Sequence, residues 1–449
     1  MFNNKKNILI IAYFFPPPNS IAAIRTWKLV KYIKQHGYEP IVICGETNID
    51  TGFETSDIEV HRIKCDILLE KYASVFKNKI NSQKNKNNNN EMIHVHSSDA
   101  FNINVRQIIY LILKKIKRIL SEIFEYPDAQ SKWRKTVLPI ASKIIDTKRI
   151  DLIYSSASPF TGHLIASDLS KIYGIPWVAD YRDLWTLNHY ISHLWIRLFL
   201  EKRLELRTLS SVSAVITVSE PAAEIQSKFL NRPVEVITNG FDPCDYNFYT
   251  EPYKNFTISY TGNIYSGKQD PSLLFSAVRK LIDNGKISSR NIRINFWGTD
   301  KIILDPIIKK YHLHEVVGIF ERVSLEKSII EQKKSTVLLL LSWNDLSQKG
   351  VYTGKVFEYL GANRPILAIP KNTGSVIDEL LYKTRAGISC SSVEQLEDVL
   401  LNWYDTFYST DTLPYTGMEE EIQKYNRVNQ ARQFAMLFDS VIFHHNQKE

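Results

Sequence analysis

The chain has 449 residues and a formal net charge of +8, with 44% hydrophobic and 23% charged residues. That length exceeds one ordinary hydrophobic core and implies two or three domains, and the 12% aromatic content excludes wholesale disorder. Four widely separated cysteines, Cys44, Cys65, Cys244 and Cys390, suggest neither a disulfide framework nor a metal site, so no bound metal and a reducing, cytoplasmic setting are expected.

Residues 8–12 read as a buried strand that passes at once into Tyr13-Phe-Phe-Pro-Pro-Pro18, without a signal-peptide cleavage region. An amphipathic helix over 21–36, ending at Gly37, and a strand over 40–44 complete a βαβ unit. Residues 81–90 are a polar, low-complexity insertion. Around it the charge is uneven: residues 71–150 hold 16 Lys or Arg against 6 Asp or Glu.

Within that segment, residues 106–124 sort on a helical wheel. Ile108, Ile109, Ile112, Leu113, Ile116, Ile119, Leu120 and Ile123 share one face, and Lys114, Lys115, Lys117 and Arg118 occupy the other. Such a helix either lies on an anionic membrane surface, at the inner face of the cell membrane, or packs on the core with its basic face solvated. No nucleic-acid motif accompanies the charge, so no nucleic-acid partner is expected. Nor does any stretch reach the ~18 apolar residues that a spanning helix needs.

Alternation continues with a strand at 151–154, a helix at 160–173, a strand at 176–179, a long charged helix at 193–210, and strands at 214–218 and 234–237. The Asn-Gly and Asp-Pro dipeptides of 239–246 mark a turn-rich exit, placing a hinge between about 239 and 256. A second series has strands at 256–260, 292–297, 316–320, 337–341 and 366–369, with helices at 271–284, about 304–311 and from 354, and a last helix over 419–444. The pattern predicts an α/β chain of two doubly wound, Rossmann-like domains, 1–240 and 251–418, facing each other across a cleft. Residues 419–449 are expected to return to the first domain.

Two segments of the second half carry chemistry. In Thr353-Gly-Lys355 a helix start offers free N–H groups and an ammonium to a diphosphate, and Glu358, one turn on, can accept from a ribose diol. In Tyr260-Thr-Gly-Asn-Ile-Tyr-Ser-Gly-Lys268 a strand runs into a glycine turn, where Gly262 permits close approach and Lys268 can neutralise a phosphate. Each segment alone equally suits a solvated amphipathic helix or a surface turn. The first strand lacks G-x-G-x-x-G and no Walker loop occurs, which disfavours dinucleotide oxidoreductases and P-loop ATPases.

Taken in order, Tyr13 to Pro18 with Arg25, Ser156-Ala-Ser-Pro-Phe-Thr-Gly-His163, Trp177-Val-Ala-Asp-Tyr-Arg-Asp-Leu-Trp185, Ile216-Thr-Val-Ser-Glu220, Val236-Ile-Thr-Asn-Gly-Phe-Asp242, Tyr260 to Tyr265, Phe296-Trp-Gly298 and Gly350 to Pro370 resemble a family 4 glycosyltransferase of the GT-B fold. The similar proteins are common in bacterial surface-polysaccharide loci, for capsule or lipopolysaccharide. The resemblance implies a retaining, metal-free transfer from a nucleoside-diphosphate sugar, UDP- or GDP-linked, held by the second domain, to a saccharide or lipid-linked saccharide on the first.

Carried over, the resemblance puts Gly262, Asn263, Lys268, Thr353, Gly354, Lys355 and Glu358 at the donor, and Pro18, Asn19, Ser20, Asp180 and Arg182 at the acceptor. Lys268, Asp183 and Arg182 become the catalytic candidates, with Asp183 nearest the usual histidine's role, and His163 is structural. Two departures stand out: Asn263 replaces the usual diphosphate-binding arginine, and Gly350 the first of two glutamates. The same build would serve a sugar-nucleotide 2-epimerase, or a catalytically silent partner in a membrane complex.

Overall fold

The computed structural model describes residues 5–17, 21–46, 57–65, 122, 125–188, 193–345 and 347–447. Its first sheet has seven parallel strands in the order β3-β2-β1-β4-β5-β6-β7: β1 (Lys6–Ile11), β2 (Tyr38–Gly45), β3 (Glu59–Ile63), β4 (Leu152–Ala157), β5 (Trp177–Tyr181), β6 (Ala214–Thr217) and β7 (Glu235–Val236). Helices α1 (Ile21–Ile33), α2 (Trp133–Thr147), α3 (Thr161–Tyr173), α4 (Trp195–Thr208) and α5 (Glu220–Leu230) flank it. The central strands form because their aliphatic runs are buried on both faces, as Ile8 to Ile11 are. Gly37, at a φ of 84°, stops the helical segment after α1.

The second sheet has six parallel strands in the order β10-β9-β8-β11-β12-β13: β8 (Phe256–Thr261), β9 (Ile292–Trp297), β10 (Val317–Phe320), β11 (Val337–Leu341), β12 (Ile366–Ile369) and β13 (Gly387–Ser389). Around it lie α6 (Ser272–Asp283), α7 (Lys301–Lys310), α8 (Leu325–Lys334), α9 (Gly354–Ala362), α10 (Val376–Thr384) and α11 (Val393–Thr410). Strand order reverses between β1 and β4 in one sheet and between β8 and β11 in the other. Those reversals open crevices at the carboxyl ends of the strands, where open α/β sheets bind ligands. The expected α/β class of two doubly wound sheets is what the structure shows.

The single helix expected over 419–444 is instead α12 (Glu419–Ile422), a turn of 3-10 helix and α13 (Arg427–Asn446). The break has a backbone cause. Phe241 bridges to this stretch, its N–H donating to Tyr425 O at 3.1 Å and its carbonyl accepting from Arg427 N at 2.9 Å, while the Asn426 side chain caps Val428 N at 2.8 Å. Beyond it, Phe434 and Phe438 pack with Ile8, Ile10 and Tyr154 of the first sheet. The basic segment 106–124 lies outside the described residues except for Glu122, and residues 81–90 lie outside them entirely.

A buried ion pair ties this architecture together. Arg25 of α1 donates Nε and Nη2 to the Asp180 carboxylate, both at 2.9 Å, and Nη2 and Nη1 to the carbonyls of Ile237 (2.8 Å) and Thr238 (2.7 Å). Tyr154 OH donates to the same carboxylate at 2.6 Å. Both charged side chains are fully buried. Burial by itself would raise the Asp180 pKa, but Arg25 and Tyr154 outweigh it and hold the carboxyl below its usual range. Asp180 therefore turns into the core, and the expectation that it meets an acceptor is corrected: its oxygens are spent on α1 and β4.

His163 is also buried, its Nδ1 2.8 Å from Ser155 Oγ, and burial pushes its pKa down from 6.5 to about 3. Between those values the unfolded chain binds the proton that the folded chain refuses, so this group withdraws stability as pH falls. The wild-type advantage over His163→Gln in urea unfolding should shrink from pH 7 to pH 5, by at most about 1.4 kcal/mol per pH unit. An advantage that stays constant across that range would contradict a neutral, buried imidazole.

Candidate functional site

At the β8/β11 reversal a cavity of about 470 Å³ opens between the sheets, lined by the segments after β8, β9, β10 and β11 and by the start of α9. Among the described residues, Asp183, just after β5, is what the first half of the chain contributes to this lining. Gly262 makes the β8 turn at a φ of 110°, its N–H donating to Trp297 O at 2.7 Å and its carbonyl accepting from Thr299 Oγ1 at 2.8 Å. A Cβ there would stand 2.7 Å from Lys355 Cε. The missing side chain is what lets the lysine lie across the turn.

Lys355 thus reaches back over the β8 end, with Nζ 5.0 Å from the Tyr260 ring centroid. Burial lowers its pKa while Glu358 pulls it up. Glu358 accepts from Gln332 Nε2 at 3.1 Å, and burial raises its pKa against the opposing effects of Gln332 and Lys355. Beside them Thr353 precedes the first turn of α9, so its backbone places helix N–H groups toward the cavity. In the lining, Trp297 Nε1 and Thr353 Oγ1 are buried polar atoms with no hydrogen-bond partner among the described residues. Buried donors rarely stay so, which marks a surface built to be met by a polar ligand.

The predicted residues do not all converge. Gly262, Asn263, Thr353, Gly354, Lys355, Glu358 and Asp183 share this cavity. Lys268 does not line it: the residue is exposed, with Nζ 5.0 Å from the ring centroid of Trp343, which does. Arg182 and Asp183 line an adjoining cavity of about 310 Å³ that shares Val351 and Tyr352 with the first. There Arg182 donates to the Ser158 carbonyl, and burial lowers its pKa. Pro18, Asn19 and Ser20 lie outside the described residues.

Sequence reasoning missed Arg322, which follows β10 and lines the cavity next to the Gly298 turn. Its signal was its place at the carboxyl end of a strand. The Gly350 departure has a local reason as well. Ser219 Oγ donates to the Gly350 carbonyl at 2.9 Å, and a Cβ on that residue would stand 3.0 Å from Pro221 Cβ. A glutamate in that slot would press its Cβ on Pro221, so the proline or the loop would have to shift slightly.

Residues 116–244 match the family model described as Glycosyltransferase Family 4. The match falls on the first sheet's half of the chain, and together with the fold it supports a glycosyltransferase. No curated protein sequence matches the chain. Among solved structures, a glycosyltransferase from Rickettsia africae is similar over 98% of this chain and 99% of its own, at 14% identity and a TM-score of 0.60. Sucrose-phosphate synthase from Thermosynechococcus elongatus aligns over 99% and 98%, at 10% identity and 0.55. A Listeria monocytogenes protein described as a UDP-N-acetylglucosamine 2-epimerase aligns over 96% and 95%, at 14% identity and 0.52. At such identities the likeness establishes the two-sheet GT-B architecture.

The approach of Lys355 to Gly262 is open to a direct check. Gly262→Ala should cost about 1–3 kcal/mol through its positive φ and the clash. In a Lys355→Ala background the cost should be smaller, which a double-mutant cycle in urea would read as coupling. Equal costs in both backgrounds would place the lysine elsewhere.

Proposed function

We propose that the chain is a retaining glycosyltransferase that moves a sugar from a nucleoside-diphosphate sugar, UDP- or GDP-linked, to a saccharide or lipid-linked saccharide in surface-polysaccharide assembly. The observation that carries this reading is the pairing of Lys355 and Glu358 on the first turns of α9, at the strand reversal of the second sheet and facing Asp183 across the cleft.

In this reading the diphosphate lies at the α9 N-terminus, against backbone N–H groups and the Lys355 ammonium, with Arg322 as a second cation. Glu358 accepts from the ribose hydroxyls, a role that its link to Gln332 orients. The sugar then projects toward Asp183, and the acceptor enters through the adjoining cavity beside Arg182. As the glycosidic bond breaks, negative charge grows on the departing diphosphate oxygen and Lys355 stabilises it. The acceptor hydroxyl attacks from the face that the diphosphate leaves, through an oxocarbenium-like state. The leaving group can take its proton, with Asp183 polarising the hydroxyl. Lys268, against Trp343, acts at the rim of this site in place of the central role given to it by resemblance.

The Listeria neighbour favours a second reading, a 2-epimerase that acts on the sugar nucleotide without an acceptor. Incubating the enzyme with UDP- or GDP-sugar, with and without oligosaccharide acceptors, separates the two. Transfer should need acceptor, and Lys355→Met should lower kcat/KM by about 2–4 kcal/mol, with a smaller loss for Lys268→Ala. An isomerised or hydrolysed sugar formed equally fast from donor alone would overturn the transferase reading, and a Lys355→Met enzyme with full turnover would overturn the role of the lysine.

A further inference from the structure

Helix α4 is built inside out. Its charged residues Arg197, Glu201 and Glu205 are buried, whereas Trp195 is 77% exposed, Ile196 54% and Phe199 53%, with Leu200 exposed beside them. The inward face is a polar lattice. Arg197 Nε donates to Glu201 at 2.8 Å and its Nη atoms to the carbonyls of Glu122 (2.8 Å) and Pro127 (3.0 Å). Glu205 accepts from Thr186 Oγ1 at 2.5 Å, from Thr186 N at 3.2 Å and from Gln226 Nε2 at 3.1 Å. A helix on a water-facing surface carries the opposite pattern, with charges outward.

The charges left on the outer face have one sign. Both acids of α4 are turned inward, and the exposed charged residues are Arg203, its guanidinium 5.0 Å from the Phe199 ring centroid, and Arg207. The patch continues onto the end of α3, where Lys171 donates to the Arg207 carbonyl at 3.2 Å and Ile172 is 66% exposed. Aromatic and aliphatic side chains rimmed by cations match the boundary of an anionic bilayer, where rings and aliphatic groups enter the acyl region and cations meet headgroups. A second copy of this face would oppose like charges across a symmetric contact.

We infer that the outward face of α4, centred on Trp195, Phe199, Arg203 and Arg207, docks the chain on an anionic lipid surface. This inference needs no sugar transfer and stands apart from the proposed function. If both hold, they meet in space: Glu205 of α4 grips Thr186, in the loop whose Arg182 and Asp183 line the cleft, so a bilayer on α4 lies beside the acceptor side of the site.

Cosedimentation with phosphatidylcholine vesicles, with and without phosphatidylglycerol, tests it. Wild type should pellet with the mixed vesicles and weakly with pure phosphatidylcholine. Trp195→Ser/Phe199→Ser should bind about tenfold more weakly or worse, and Arg203→Gln/Arg207→Gln should lose the preference for phosphatidylglycerol. These variants leave residues 106–124 intact, so any binding through that segment survives in them. Their side chains are exposed, so melting temperatures should hold. Should the serine variant fail to fold, quenching of tryptophan fluorescence by brominated lipid should still be weaker in W195F than in wild type. Equal pelleting of wild type and both variants, equal quenching in W195F, or a dimer in sedimentation velocity that the serine variant dissolves would overturn the inference, the last assigning the face to a second copy.

Discussion

Everything at the cleft depends on one buried charge being fully answered. The Arg25 guanidinium spends its donors on Asp180 and on the carbonyls of Ile237 and Thr238, so α1, β5 and the exit from the first sheet are held as a unit. Removing either charge would strand the other in the core, at a cost of about 3–5 kcal/mol. The next residues in sequence inherit that rigidity. Arg182 and Asp183 leave β5 directly after the pinned aspartate, and the chain passes to the second sheet directly after the pinned carbonyls. A second polar knot extends the constraint: Asp242 accepts from Lys28 and from Tyr32, each at 2.6 Å. Burial opposes ionisation of Asp242, but those partners keep its pKa below the ordinary carboxylate range.

The second sheet shows the complementary principle, in which absent side chains matter as much as present ones. At Gly262 the lack of a Cβ lets Lys355 lie across the β8 turn, and at Gly350 it lets the loop before α9 sit against Ser219 and Pro221. The first brings a cation to the helix N-terminus, and the second brings that helix to the opposite domain. Two cavities that share Val351 and Tyr352 result, one chiefly on the second sheet and the other shared with the first. A donor and an acceptor need this separation, and a lone binding pocket does not.

The fold was legible because its strands are unbroken aliphatic runs, such as Val337–Leu341, and its helices end at glycines or turn dipeptides. Where helices are polar the reading failed. The segment Leu325–Lys334 buries Glu331 and Gln332 beside a single fully buried aliphatic, Ile329, so no apolar stripe announces it. At the site, Lys355 and Glu358 were legible from helix spacing, since three positions bring them to one face. Asp180 was misread because its partner stands 155 positions away, a separation that no local pattern encodes. Lys268 was read from spacing alone, which could not encode that its amine rests against the ring of Trp343, two residues past β11. The charges of α4 were visible in sequence, but that they face inward depends on Thr186, Gln226 and Pro127 closing around them.

The central claim is that α9 and the β8 turn together hold a nucleoside diphosphate. A crystal structure of the chain with bound UDP or GDP tests it most directly. The account predicts phosphate oxygens within hydrogen-bond distance of Lys355 Nζ and the Gly354 N–H, and ribose hydroxyls on Glu358. A nucleotide seated elsewhere, or one whose ribose leaves Glu358 untouched, would contradict it.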